Sequence, residues 1–157
     1  MKINIKKLVV CIAIPLAVGG VAAFLTRGAV TEFATIEKPP FAPPAWLFSV
    51  VWTILYTLMG ISSYLISESK SSSDQKEQAI TLYFYQLVVN FLWPIFFFNF
   101  GWYLFSFFWL VLLWVLVYQM IKQFLNINKI AGYLNIPYLI WLTVAAYLNF
   151  GIWWLNR

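Results

Sequence analysis

The side chains in this sequence with chemistry to offer are indoles and amides. Trp52 and Tyr56 stand four residues apart; so do Gln86, Asn90 and Pro94, and so do Trp141, Ala145, Asn149 and Trp153. Spacing of four puts each set on one face of a helix. Ring faces with a few amides suit recognition of an apolar molecule by shape, stacking and sparse polar contacts. They make poor acid–base machinery. The chain has no histidine, its five carboxylates all fall outside the long apolar runs, and no glycine-rich phosphate loop is present. Hydrolytic, kinase and dehydrogenase chemistry therefore lack their groups, as do zinc sites and histidine-ligated haem. Cys11 stands alone and cannot form an internal disulfide. Asparagines inside membranes commonly bond neighbouring helices, so spacing alone leaves Asn90 and Asn149 open between helix packing and ligand contact.

The elements that must position these residues follow from the charge pattern. With 63% of residues apolar and only 10% charged, a water-soluble core is the wrong expectation. Four charge-free runs lie between Lys7 and Arg27, Lys38 and Glu68, Glu77 and Lys122, and Lys129 and Arg157. The third, residues 78–121, would make a helix of roughly 66 Å, about twice the hydrocarbon thickness, so it must fold back, and Asn99-Phe100-Gly101 is its turn signal. The expectation is an all-α integral membrane protein, a single bundle of five transmembrane helices at about 8–25, 45–66, 79–98, 102–121 and 131–154. Lys2, Lys6 and Lys7 precede an apolar stretch ending in Val21-Ala22-Ala23, as in a cleaved leader, but the uncharged run is long for one and an uncleaved first helix is expected.

Orientation comes from lysine and arginine. With the N-terminus inside, Lys2, Lys6, Lys7, Lys70, Lys76, Lys122 and Lys129 face inward, against Arg27, Lys38 and Arg157 outside. Trp46, Trp102, Tyr103, Trp153 and Trp154 then lie at the outer ends, where amphipathic rings prefer to sit. This makes the net positive charge a matter of topology, with no soluble basic patch for nucleic acid. The serine-rich stretch from Ser67 to Lys76 reads as a flexible connector. The segment 26–44 is different, because its four prolines lower the entropy lost on ordering and allow a shaped lid. Counted from the helix ends, Trp52, Asn90 and Ala145 each fall roughly 10–14 Å below that lid, with Trp141 about one turn deeper.

Three blocks carry a resemblance. They are Lys38-Pro39-Pro40-Phe41-Ala42-Pro43-Pro44-Ala45-Trp46 continuing through Val51-Trp52-Thr53-Ile54-Leu55-Tyr56 to Gly60, then Gln86-Leu87-Val88-Val89-Asn90-Phe91-Leu92-Trp93-Pro94, and Pro137-Tyr138-Leu139-Ile140-Trp141 through Ala145 to Asn149. In these the chain closely resembles the translocator proteins, or tryptophan-rich sensory proteins, in their bacterial form. The resemblance implies a five-helix bundle in the cell membrane, often a homodimer, that contacts lipid and closes an outer loop over a pocket for protoporphyrin IX and other aromatic ligands. It implies no required cofactor. The family's pocket positions match Pro43, Pro44, Trp52, Asn90, Trp93, Trp141, Ala145 and Asn149, and Phe33 and Phe41 stand in loop positions where many members have tyrosine and tryptophan. The matches of Trp52 and Trp141 imply a second reading, light-dependent porphyrin breakdown, in which these two are catalytic. Phe150 replaces the central tyrosine of the C-terminal sterol motif, which argues against sterol recognition through it.

Overall fold

The structure is a computed structural model and describes residues 3–157; Lys2, counted above for orientation, lies outside the described residues. Seven α-helices carry the chain: α1 (Ile5–Thr26), α2 (Ala29–Phe33), α3 (Ala45–Ser67), α4 (Ser73–Pro94), α5 (Tyr103–Ile127), α6 (Lys129–Tyr133) and α7 (Ile136–Leu155). Five stretches, with α4 extended to Asn99 and α6 joined to α7, are long and apolar enough to cross a membrane. No strand occurs among the described residues. The protein is an integral membrane protein of five spanning helices, as expected.

Boundaries move where local chemistry was missed. The third span begins at Ser73 rather than 79, because Ser72 caps it by accepting a hydrogen bond from the Gln75 backbone N–H, so its first turns are polar and project beyond the apolar run. Its far end changes register. Pro94 has no N–H to offer the preceding turn, and residues Ile95–Asn99 continue as a π-helical turn in which Phe100 N–H donates to the Ile95 carbonyl at 3.2 Å. Gly101, at φ 63°, then reverses the chain where the turn signal stood. α5 runs to Ile127, six residues past the expected 121, carrying Lys122 on an exposed position. The last span starts at Lys129, two residues before the expected 131, and is broken at Leu134–Asn135. Buried Asn135 bridges the break, donating to Ser62 Oγ at 2.6 Å and to the Ala131 carbonyl at 3.0 Å.

Close packing is concentrated on particular flanks. α1 lies along α3, α4 along α5, and α5 along α7. A Cβ on Gly60 would fall 2.4 Å from the Ile12 Cα, so glycine there sets the approach of α1 and α3 backbones. The Lys7 ammonium pairs with the Glu68 carboxylate where α1 starts and α3 ends. By contrast, α3 and α7 do not pack backbone to backbone along their length, and the seam between them is bridged by aromatic side chains.

Segment 26–44, the expected lid, has two parts. α2 is a one-turn cover whose carbonyl end is capped by Lys38 Nζ, donating to the carbonyls of Phe33 (3.2 Å), Ala34 (3.4 Å) and Ile36 (3.3 Å). Glu37–Pro44 is a strap laid along the last turns of α7. The Glu37 N–H donates to Asn156 Oδ1 at 3.1 Å and Asn156 Nδ2 donates to the Glu37 carbonyl at 2.8 Å. Lower down, buried Pro39 occupies the space beside Gly151, where a Cβ would come within 2.7 Å of its ring, and the Tyr147 hydroxyl donates to the Pro40 carbonyl at 2.9 Å.

Candidate functional site

Besides the Asn135–Ser62 bridge, two clusters of polar groups lie stacked along the axis of the bundle. The deeper one is a directed chain. The Tyr56 hydroxyl donates to Asn90 Oδ1 (3.1 Å), Asn90 Nδ2 donates to the Tyr138 oxygen (2.6 Å), the Tyr138 hydroxyl donates to Gln86 Oε1 (2.8 Å), and Gln86 Nε2 reaches Met59 Sδ at 3.8 Å. All five residues are buried, and the chain ties α3, α4 and α7 together. Trp52 covers it, stacked on Tyr56 at 5.4 Å and edge-on to Tyr138 at 6.0 Å. The upper cluster centres on Asn149, whose Oδ1 accepts from Trp93 Nε1 (3.0 Å) while its Nδ2 donates to the Tyr103 carbonyl (2.7 Å). Trp93 stacks on Phe97 at 5.2 Å, and Phe33 of the lid closes on Phe97 and Phe98 at 5.6 and 5.1 Å.

Both asparagines thus spend their amides between helices, the first of the two uses the spacing left open. Between the clusters stand Trp141 and Ala145. Trp141 meets Phe48 of α3 edge-on, with centroids 5.5 Å apart, and its Nε1 is buried with no hydrogen-bond partner among the described residues. Ala145 is 4% exposed and belongs to the packed core. An open apolar groove of roughly 390 Å³, lined among others by Ile14, Val18, Phe84 and Phe91, lies elsewhere, on the α1–α4 flank.

Two expectations need correction. Trp52, Asn90 and Ala145 do not share one level with Trp141 below them. Trp52 and Asn90 are level with Tyr138, and Ala145 lies seven residues, or about 10 Å, further along α7. Depth was counted from helix ends, but the strap descends beside α7 before α3 starts, so Ala45 begins deeper than Leu155 ends. Phe41 is also not brought to the site, being 96% exposed at φ 64°. Pro43 is half-buried, and Pro44 is exposed as the N-cap of α3. Trp52, Asn90, Trp93, Trp141, Ala145 and Asn149 lie in the two clusters or between them, and Phe33 of α2 contacts Phe97 and Phe98 above.

Residues the sequence reading passed over complete the arrangement. Steps of four place Tyr56 and Gln86 on the faces of Trp52 and Asn90 without assigning them to the pocket, whereas Tyr138, three before Trp141, carries no signal beyond its place in the block 137–141. The strap contacts of Asn156, Gly151 and Tyr147, and the Phe48 ring, depend on tertiary placement.

A profile of the TspO/MBR family matches residues 11–155, nearly the whole chain. The chain belongs to the TspO/MBR family. Among similar proteins, the tryptophan-rich protein TspO of Archaeoglobus fulgidus is 40% identical over 98% of this chain and 99% of its own length. The translocator protein of Ovis aries is 35% identical over 80% of this chain and 75% of its own. The tryptophan-rich sensory protein of Cereibacter sphaeroides is 33% identical over 79% and 76%. Within the TspO/MBR family, then, this chain places its lid, its buried tyrosine–amide chain and its unpartnered indole in one column.

Proposed function

We propose that the protein is a membrane receptor for a flat aromatic ligand of the tetrapyrrole class, protoporphyrin IX being the leading candidate, acting in scavenging, transport or sensing. The observation that carries this reading is the Trp141 indole. A buried N–H without a partner costs roughly 1–3 kcal/mol, and the adjoining surfaces are ring faces and the small Ala145, so a ligand with an acceptor atom and an extended π-face answers both features. Membership of the family supports it. The ligand sits between Trp52 and Trp141, beneath Phe33. The amides of Asn90 and Asn149, already paired, shape the walls. The chain's lack of histidine favours a metal-free macrocycle over haem. The receptor works as a homodimer with the N-terminus inside and the C-terminus outside.

Titration of protein in nanodiscs with protoporphyrin IX, followed by tryptophan quenching, is expected to saturate with micromolar or better affinity, about −8 kcal/mol. Linear, non-saturating quenching overturns the proposal. A second reading, light-dependent breakdown of the porphyrin, draws support from Trp52 stacked on Tyr56, since a tyrosine in van der Waals reach can return an electron to a tryptophan oxidised by the excited macrocycle. Product analysis after illumination in oxygen separates this reading from binding alone.

A further inference from the structure

We infer that the ligand reaches this site sideways from the bilayer, through the seam between α3 and α7, and that the Phe48–Trp141 ring pair is the gate. The inference rests on the receptor reading above. The α1–α3 flank is closed by backbone contact at Gly60 against Ile12, α4 runs along α5 and α5 along α7, and the α1–α4 flank, though grooved on its surface, is still joined helix to helix. The α3–α7 flank lacks such packing and is bridged by two ring contacts, Phe48 to Trp141 at 5.5 Å and, deeper, Trp52 to Tyr138 at 6.0 Å. In a bilayer, apolar contacts between helices gain little over contacts with acyl chains, so rings across an apolar seam part more readily than a backbone joint does.

The deeper contact is pinned, because Tyr138 is held by two hydrogen bonds, and it forms the floor. The outer contact is not. Trp93, Trp109 and Trp114 each have their indole N–H fixed, on Asn149 Oδ1, the Val89 carbonyl and Thr143 Oγ1, whereas Trp141 is held by packing alone. Phe48, half-buried, has no polar atom to hold it. Above the gate the way is shut by the strap, fastened at Asn156, Gly151 and Tyr147, so access from the aqueous side requires several anchors to release together.

The test uses the full chain in phosphatidylcholine nanodiscs with protoporphyrin IX preloaded in the lipid. Phe48→Ala is expected to raise the association and dissociation rates together by about three- to tenfold, in line with loss of one ring contact, while the dissociation constant moves by less than about twofold. Phe48→Leu should give an intermediate rate, and serves if the alanine variant is unstable. Asn156→Ala, which loosens the strap, should leave both rates nearly unchanged. Unaltered rates in the Phe48 variants, or faster rates in Asn156→Ala, overturn the gate. If wild type binds no protoporphyrin, the receptor reading fails, and the gate is then decided without ligand. Lipids brominated on the acyl chain should quench the Trp141 contribution, taken as the difference from Trp141→Phe, about twofold more in Phe48→Ala than in wild type, and equal quenching sinks it.

Discussion

Asn90 sits 2% exposed with both ends of its amide engaged, and Ala145 sits 4% exposed among apolar neighbours. At the residue scale the closed site is therefore packed rather than empty, and this changes what substitutions do. Ala145→Phe has no vacant volume to occupy in the closed protein, so overpacking should lower stability by about 1–3 kcal/mol. Protoporphyrin IX should raise the melting temperature of wild type and fail to raise that of the variant. A variant as stable as wild type with unchanged affinity would remove Ala145 from the site. Trp141→Phe keeps a ring for stacking and deletes the unpartnered N–H. Binding should persist, weakened by the lost ligand hydrogen bond by about 0.5–1.5 kcal/mol, roughly two- to tenfold in the titration. Any light-driven loss of porphyrin should slow, because phenylalanine is a far poorer electron donor than indole. Equal photodegradation rates would count against the breakdown reading and leave the receptor reading standing.

Among the elements, α1 and α3 meet through glycine and the contrast between two glycines makes the point testable. A methyl on Gly60 would lie 2.4 Å from the Ile12 Cα and 2.7 Å from the Cys11 carbonyl oxygen, both backbone, so the helices must separate to admit it. Gly20 meets nothing within 4 Å. Gly60→Ala is expected to cost about 1–3 kcal/mol of stability in nanodiscs, whereas Gly20→Ala should be neutral or slightly stabilising through helix propensity. Equal melting temperatures for the two would deny close backbone packing of α1 on α3. The same scale explains the end of α4. Pro94 removes one donor, the following turn widens to π geometry, and Phe97 and Phe98 are thereby set against Phe33 of the lid. Helix irregularity and lid seat are one feature.

For the whole molecule, seven lysines against two arginines and a lysine lead us to propose a polarity with the N-terminus inside. The loop at Ser72 should lie inside and the lid at Thr35 outside. Single cysteines placed at these two positions in a Cys11→Ala background, probed in intact cells with an impermeant thiol reagent, should label at Thr35 and stay protected at Ser72. Labelling confined to Ser72 would invert the receptor, moving the strap and Arg157 to the inner face. Arg157 rests 3.5 Å from the Trp154 ring centroid, beside the strap's anchor at Asn156.

Length and polarity of runs determined that this chain crosses a membrane five times, because a span needs only enough apolar residues and few charges, both local properties. The fold-back at Gly101 was equally local, since a left-handed residue is a glycine signal. Faces were legible too: Trp52 with Tyr56, and Gln86 with Asn90, do point the same way. Relative depth was not, because it depends on how far the strap travels along α7 before α3 begins, and that is set by Pro39 against Gly151 and Glu37 against Asn156, pairs more than a hundred residues apart in the chain. The fate of the amides was likewise undecidable from spacing, since either helix packing or a ligand satisfies an asparagine in hydrocarbon. Only the assembled bundle paired Asn90 with two tyrosines and Asn149 with Trp93, and left the indole N–H of Trp141 without a partner among the described residues.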